Sequence, residues 1–443
     1  MPSPRLRPRL IVAAAATLAA LSPAAAPAQS LLELYDAAHA YDAAYLSARA
    51  LYESAPYRVE QARALLRPSA SLSSSASRSE TNPTIGPTFG SNNLSASITG
   101  RQPLFNRSST ATIAQSELSL VSSLADLDTA EQDLMLRLSQ GYFDVLGAQD
   151  TLATTRANKA AISEQLASAK RNFEVGTATI TDTREAQARF DLATAQEIAA
   201  DNDLVTKRIA LDQLVGRSNV VPKQLAVPVV LPAPTASVDE LVSHAADEHP
   251  AVRRAQVAYQ VAQLETEKAR AQALPTIDAV ASVNGGRGTV ASFTGSITGN
   301  SSSASIGVQL SLPLYTGGSI QNRIKETLVL EERTRNDLDA ARRSVTQTTR
   351  QAFYTLRSGA AQVKALEAAE ASSKLALEAT QLGYRVGIRV NVDVLNSQSQ
   401  LFQTRRDLAR ARYDVLLATL RLRQASGQLT PSDVLAIDRL LAR

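Results

Sequence analysis

The sequence contains no cysteine and only three histidines among its 443 residues. The lack of cysteine excludes disulfide bonds, thiolate metal sites, cysteine nucleophiles and a lipid anchor on a signal-peptide cysteine. The histidines have no ligand-like spacing, and no zinc motif, Gly-Xaa-Ser-Xaa-Gly elbow or dinucleotide fingerprint occurs. We therefore predict that the chain is not an enzyme and that it has no cofactor and no metal site.

Long hydrophobic runs are also scarce. One apolar run of 12 residues, Leu10 to Leu21, follows Arg5, Arg7 and Arg9 and precedes small residues that end at Ala28. This pattern predicts a secretory signal over residues 1–28 with cleavage before residue 29, because the run is too short to span a bilayer. No run of about 18 apolar residues follows. If the mature chain enters a membrane, it must do so as a closed barrel of strands.

The excess of basic charge is small once the signal is set aside. Three of the 46 basic residues lie in that segment, so the remainder carries 43 basic and 42 acidic side chains. The basic isoelectric point is therefore no argument for nucleic-acid binding, and we predict no nucleic-acid partner.

Proline is absent from two long stretches of nearly equal length. None occurs between Pro103 and Pro222 or between Pro313 and Pro431, and the gaps hold 118 and 117 residues. Because proline breaks helix interiors, these stretches predict long helices. Each contains an isolated glycine followed by β-branched residues, at positions 176–180 and 387–390, which predicts the turn of a helical hairpin.

The helix before the first turn should cover residues 106–173, a length of roughly 100 Å at 1.5 Å per residue. Apolar or small residues recur along it with a mean step of about 3.56, the spacing of a coiled coil. These positions are Leu120, Leu124, Leu127, Ala130, Leu134, Leu138, Gly141, Val145, Ala148 and Leu152. An ordinary soluble coiled coil, such as a filament or an adaptor, has the same pattern.

The sequence contains an internal duplication. Short matches such as Ala62-Arg63-Ala64 with Ala269-Arg270-Ala271, and Tyr142-Phe143 with Phe353-Tyr354, recur at an offset that drifts only from 207 to 211 residues. Chance matches would not keep one register, so we predict two structural repeats, residues 29–228 and 229–443. Each has the order helix, strand, strand, long helix, turn, helix. The linker prolines are Pro222, Pro228, Pro232 and Pro234.

Four segments of about 8–10 residues alternate apolar and polar side chains, near residues 71–77, 94–99, 277–284 and 305–312. Between them, residues 80–93 and 285–303 are rich in turn formers and predict hairpin loops. A soluble half-buried sheet gives the same alternation. Four strands are too few to close a barrel, so membrane insertion requires an oligomer. Two chains supply eight strands and three supply twelve, and the sequence does not choose.

Three motifs make the chain resemble the outer-membrane factor family, TolC type: GVQLSLPLYTGG at 307–318, GYRVG at 383–387 with DVL at 393–395, and the first turn at 173–182. The resemblance implies a mostly α fold with a small β part. Long antiparallel coiled-coil helices would form an α-barrel in the periplasm. Four strands per protomer would join a 12-stranded trimeric β-barrel in the outer membrane of a Gram-negative bacterium.

The resemblance also implies a function. The homotrimer would be the passive exit duct of a tripartite efflux pump or a type I secretion system, in contact with outer-membrane lipid. A periplasmic adaptor and an inner-membrane pump of the ABC, RND or MFS type would open its tip. The alternative is a structural or adhesive periplasmic coiled-coil protein with a small β-domain.

By motif position, the resemblance assigns residues to a gate. The latch positions fall on Asp182, Tyr384, Arg389 and Gln165. The constriction ring falls on Asp393 and on Asn396, where the family has a second acidic residue. The adaptor-docking turns are Val175, Gly176, Thr177, Val386, Gly387 and Ile388. An exposed Arg–carboxylate pair contributes about 1 kcal/mol or less, so such a latch can open.

Overall fold

The computed structural model describes residues 28–82, 84–85, 88–226, 237–292 and 295–441. The predicted signal segment lies outside these ranges, apart from Ala28. The linker prolines Pro228, Pro232 and Pro234 also lie outside them.

Within the residues that the structure describes, the first half holds four α-helices and two strands, with a short 3-10 helix (Ala64–Leu66) before the first strand. They are α1 (Leu31–Tyr41), α2 (Ala43–Arg63), β1 (Ser69–Thr81), β2 (Phe89–Phe105), α3 (Arg107–Glu174) and α4 (Ile180–Val215). The second half holds α5 (Val238–Glu248), α6 (Pro250–Ala271), β3 (Thr276–Ser292), β4 (Gly295–Ser311), α7 (Ser319–Arg385) and α8 (Asn391–Ala425), and then a short α9 (Pro431–Asp438). The sequence analysis did not predict α9.

A break divides the first helix of each half, where one helix was expected. Asp42 has an extended backbone, and its carboxylate accepts a hydrogen bond from Tyr45 N–H at 2.8 Å, so it caps α2. His249 is extended as well, and it precedes Pro250, whose missing N–H suits the first position of a helix. Both breaks therefore come from residues that begin a new helix.

The long helices are as predicted. Helix α3 has 68 residues and α7 has 67, so each is about 100 Å long. Asn106 begins α3 by accepting a hydrogen bond from Ser109 N–H at 3.1 Å. Both helices end in turns that contain a glycine with positive φ, Gly176 and Gly387.

The four strands form one antiparallel sheet in the order β1-β2-β3-β4. They have 13 or 17 residues, so the expected 8–10 residues was too short. The predicted hairpin loop at 285–303 is largely strand, with Gly288 opposite Gly299, and half of the loop predicted at 80–93 is strand as well. The hydrogen bonds between strands join backbone groups, so glycine, serine and asparagine continue the strands at positions where their side chains suggested a turn.

The main apolar core lies midway along α3 and joins the two halves. Helices α1, α3, α4, α8 and α9 contribute to it, and its fully buried members include Leu34, Leu138, Tyr142 and Leu416. We call this cluster the hub. Leu31 N–H donates to Asp438 of α9 at 2.7 Å, so the last helix ties the two ends of the described chain together there.

An ion pair also anchors α2 to the hub. The Asp42 carboxylate accepts two hydrogen bonds from the Arg137 guanidinium, at 3.0 and 3.1 Å. Burial raises the pKa of Asp42, but the bonds from Arg137 and from backbone N–H groups outweigh it and hold this pKa below its usual value. The carboxylate therefore stays ionised in its pair. Within the described ranges, no helix is both long and apolar enough to cross a membrane.

Candidate functional site at the tips of the helical hairpins

Two glycine turns form the tips at which α3 leads into α4 and α7 leads into α8. Gly176 and Gly387 have φ values of 78° and 77°. The residue after each glycine donates its N–H to a carbonyl near the end of the long helix, Thr177 to Asn172 at 2.8 Å and Ile388 to Gly383 at 2.9 Å. This is the bonding of a Schellman motif, which glycine favours because it has no Cβ.

The tips are rich in exposed apolar side chains. Val175 is 73% exposed and Ile388 is 80% exposed, with Val386 nearby at 60%. Apolar residues so exposed in a single chain are suited to a contact with another protein. The turns predicted as docking sites are therefore accessible at the end of the molecule.

Arg389 is held against the end of α7. A Cβ on Gly383 would lie 2.8 Å from the Cγ of Arg389, so the absence of a side chain at Gly383 leaves space for the arginine stem. The guanidinium Nη1 then lies 3.6 Å from Asp393 Oδ2, in the first turn of α8. The side chains are 61% and 35% exposed, so water screens this pair and its contribution to stability is small.

Asp182 forms a capping box at the start of α4. Its Oδ2 accepts hydrogen bonds from Thr179 N–H at 3.0 Å and from the Thr179 hydroxyl at 2.7 Å, and Thr179 Oγ1 accepts from Asp182 N–H. In the single chain, therefore, Asp182 and Arg389 each have another partner. Their mutual contact stays a prediction.

Tyr384 connects the two hairpins. Its hydroxyl accepts a hydrogen bond from Asn172 Nδ2 at 3.3 Å, between the ends of α7 and α3. Gln165 is half-buried on α3, about two turns before Asn172. The sequence analysis did not identify Asn172, because a lone asparagine on a polar helix carries no signal of its partner.

The predicted ring positions lie where α8 meets the first hairpin. Asn396 Oδ1 accepts a hydrogen bond from Arg189 of α4 at 2.9 Å, and Gln398 donates to the Asn158 carbonyl at 3.4 Å. Leu395 packs in a small apolar cluster with Ile162, Leu166, Ala169, Ala186 and Ala193. We call this cluster the tip core. Arg189 is a further residue of this region that the sequence analysis missed.

One buried polar group at the tip has no partner within the described residues. Asn391 begins α8 and is only 3% exposed, yet neither its Nδ2 nor its Oδ1 has a hydrogen bond. An unsatisfied buried amide costs roughly 1–3 kcal/mol. The unsatisfied amide of Asn391 therefore destabilises the start of α8.

At the other end of the molecule, one face of the sheet is polar and nearly uncharged. Serine and asparagine side chains bond across it in the pairs Ser75–Ser95 (2.8 Å), Ser97–Asn284 (2.6 Å) and Ser282–Ser305 (2.9 Å). Its charged pair is Arg101 with the buried Asp278, at 2.6 Å where the sheet meets the helices. Such a face suits contact with water and imposes little charge selection. Among the residues described, no group of histidines and carboxylates could hold a metal ion.

The sequence profile of the family described as "Outer membrane efflux protein" matches residues 34–217 and 241–428. The outer membrane protein TolC of Vibrio cholerae is 33% identical to this chain over 440 residues, which is 98% of either chain. The alkaline protease secretion protein AprF of Pseudomonas aeruginosa is 31% identical over 341 residues, which is 75% of this chain and 69% of AprF.

Solved structures have the same architecture. The crystal structure of the outer membrane protein VceC from Vibrio cholerae matches with a TM-score of 0.74, and the match covers 90% of this chain and 96% of VceC. The two are 17% identical, so this likeness concerns the fold alone.

Proposed function

The chain belongs to the outer membrane efflux protein family, and from this membership we propose that three copies form a passive duct with a gate at the helical tips. It is an exit duct of an efflux or secretion system in the outer membrane, with its helical part in the periplasm. Its relatives are channel proteins rather than enzymes. Family membership sets aside the alternative of a structural or adhesive coiled-coil protein.

The four-stranded sheet carries the proposal of an oligomer. Its outer strands, β1 and β4, are the two edges of the sheet, and unpaired edges invite pairing with another chain. One face of the sheet also leaves large apolar side chains in the open, such as Ile306 at 88% exposure. Pairing β4 of one copy with β1 of the next in a threefold ring would close a barrel of twelve strands and place the apolar face toward lipid.

The helical part supports the same oligomer. Apolar side chains are exposed on α3 at Val121 and Leu124 and on α7 at Leu328 and Val329, near the sheet. We propose that neighbouring copies cover them. The repeats, residues 29–228 and 229–443, would then supply two similar hairpins per copy and six around the ring.

We propose that the gate is a set of weak polar contacts among these hairpins. Asp182, Tyr384, Arg389 and Gln165 form the latch. Tyr384 already bonds to the first hairpin through Asn172, and both capping bonds of Asp182 use Oδ2. Arg389 would exchange its screened pair with Asp393 for Asp182 when the latch closes. Charged pairs of this exposure contribute about 1 kcal/mol or less, so an adaptor could break them.

Asp393 and Asn396 are the proposed constriction. Three copies of Asp393 would attract cations, but each lies 3.6 Å from an arginine, and Asn396 bonds to Arg189. The Asp393 carboxylate is thus paired with one arginine, and a second arginine lies at Asn396. We expect a weaker cation preference than an unpaired acidic ring would give. The apolar turns around Val175 and Ile388 are the proposed docking surface for a periplasmic adaptor, which would link the duct to an inner-membrane pump.

Conductance of the purified protein in a planar lipid bilayer tests the duct. We expect discrete steps of uniform size and a complex with the mass of three chains. A variant with proline at Ser75, inside β1, serves as the control, because it removes a ladder hydrogen bond and should abolish insertion. A monomer that leaves the bilayer conductance unchanged would refute the proposal.

A further inference from the structure

The two faces of the sheet differ in chemistry. On the apolar face, one row holds Leu72, Ile98, Val283 and Ala304, the next holds the small residues Ser74, Ala96, Gly285 and Ser302, and the third holds Ala76, Leu94, Arg287 and Asn300. On the opposite face, β1 presents a serine at every second residue from Ser69 to Ser79. The apolar face is therefore the one that would meet lipid.

The height of the apolar band can be estimated from the register. It begins at Ile277, opposite Leu310, where the sheet meets the helices, and the Arg287 row lies ten residues further along β3. At about 3.4 Å per residue and a strand tilt of about 40°, the two rows are about 26 Å apart along the membrane normal. An outer-membrane apolar band is about 25 Å tall. Arg287 thus lies at its upper edge.

Above this edge the same face becomes basic and polar. The next row is Arg78, Asn92, Thr289 and Thr298. A shallow cavity of 440 Å³ lies between the two rows, lined by Arg78, Arg287, Asn92 and Leu94. The Glu80 carboxylate lies 3.7 Å from Arg78, and both side chains are largely exposed. Two arginines and one glutamate leave a net positive charge at this end of each copy.

We propose that Arg78 and Arg287 bind the phosphate of anionic lipid head groups in the leaflet farther from the helices. This inference rests on the proposed orientation of the sheet in the membrane. Arg287 lies beside Leu94 in the register, and Ala96 and then Ile98 lie below Leu94 on the same face, so one lipid can place its phosphate on the guanidinium groups and its chains on the strands. Arginine suits this role because its planar fork donates two parallel hydrogen bonds to phosphate oxygens.

The test compares two lipids that differ only in the phosphate, phosphatidic acid and diacylglycerol with the same acyl chains. Binding of each to the purified oligomer in detergent is measured by native mass spectrometry. We expect phosphatidic acid to bind more tightly, and Arg78→Gln with Arg287→Gln to lower its affinity by roughly 30-fold, about fivefold for each arginine. Binding of diacylglycerol should not change.

Two control variants keep the outcome decisive. Arg333→Gln with Arg335→Gln removes two exposed arginines of α7 that, like Arg78, lie 3.7–3.8 Å from a carboxylate. This variant should still prefer phosphatidic acid to diacylglycerol. The second control, Arg78→Lys with Arg287→Lys, keeps both positive charges and should show the same preference. Equal binding of both lipids, or an equal loss in the α7 variant, would overturn the proposal. So would competition by millimolar inorganic phosphate, which would indicate a site for free anions. Conductance is measured on the same samples, so a failure of the duct itself is seen separately.

Discussion

The arrangement of Arg389 leads to a prediction about the gate. Its guanidinium has two possible carboxylate partners, Asp393 at 3.6 Å in the first turn of α8 and Asp182 on the other hairpin. Replacing Arg389 with serine should remove the latch and also uncover the charge of Asp393. Replacing Asp393 with asparagine should instead free Arg389 for the latch. The two substitutions should therefore shift the gate in opposite directions.

The size of each effect follows from the solvent exposure of the charged side chains. A latch pair of this kind is worth about 1 kcal/mol, so three pairs that open together would contribute about 3 kcal/mol, roughly a 150-fold change in the open population. The competing pair of Arg389 with Asp393 is an exposed contact between residues four positions apart, worth about 0.4 kcal/mol. Its loss in three copies should favour the closed state by about 1.2 kcal/mol, or sevenfold.

Single-channel conductance and reversal potential in planar bilayers measure both effects. Arg389→Ser should give larger and longer openings with a stronger cation preference, whereas Asp393→Asn should give rarer openings and a weaker preference. Gly383→Ala is a useful third variant, because its Cβ would displace the Arg389 stem without removing a charge. It should open the gate partially. If Arg389→Ser conducts like the wild type while Asp393→Asn enlarges the openings, the latch assignment is wrong.

Three further predictions follow. Gly176→Ala and Gly387→Ala should each destabilise a tip by about 1 kcal/mol through positive φ alone, since no atom lies within 4 Å of the added Cβ. Limited proteolysis should cut the tips of these variants faster, and an asparagine at either position should lose less stability than alanine. Equal resistance of all variants to proteolysis would contradict the prediction. Asn391→Leu should stabilise the start of α8 by about 1 kcal/mol or more by removing two unsatisfied polar atoms, whereas Asn391→Asp should destabilise it. Hydrogen exchange of the backbone amides at the tip measures both effects. Faster exchange in the leucine variant than in the wild type would refute the reasoning. Burial lowers the pKa of His249 despite a backbone hydrogen bond with Gln424, so protonation of His249 favours the unfolded chain, and the thermal stability should fall as pH drops below about 6.5. His249→Asn keeps a capping acceptor but does not titrate, so its melting temperature should fall less over the same pH range. Equal falls in melting temperature for the two proteins would exclude this role of His249.

The sequence predicted the long helices well because several local signals agreed. The first long helix was expected over residues 106–173 and is observed as Arg107–Glu174, since Asn106 caps one end and Gly176 follows the other. The strands were predicted at the right places but too short. Side-chain alternation fades where Gly285 and Gly288 enter the ladder, although their backbone groups still pair. A composition signal cannot detect that pairing.

The contacts of the candidate gate could not be predicted in the same way. The bond between Asn172 and Tyr384 joins residues 212 positions apart, and it depends on the rotation of two long helices about their axes. An error of one residue in register turns a helical side chain by about 100°. Motif positions could therefore name Tyr384 and Arg389, but only the packed hairpins give their partners.

The proposed position of the gate agrees with how apolar packing is distributed along the helices. The hub is filled with large side chains such as Tyr142, Leu138 and Leu416, whereas half of the tip core is alanine. Each alanine in place of leucine forgoes about three buried carbon groups, at roughly 0.8 kcal/mol per CH₂. Separating the hairpins at the tip therefore costs far less than separating them at the hub. Weak polar bonds can decide between the closed and open states only at the tip, because elsewhere apolar burial dominates the free energy.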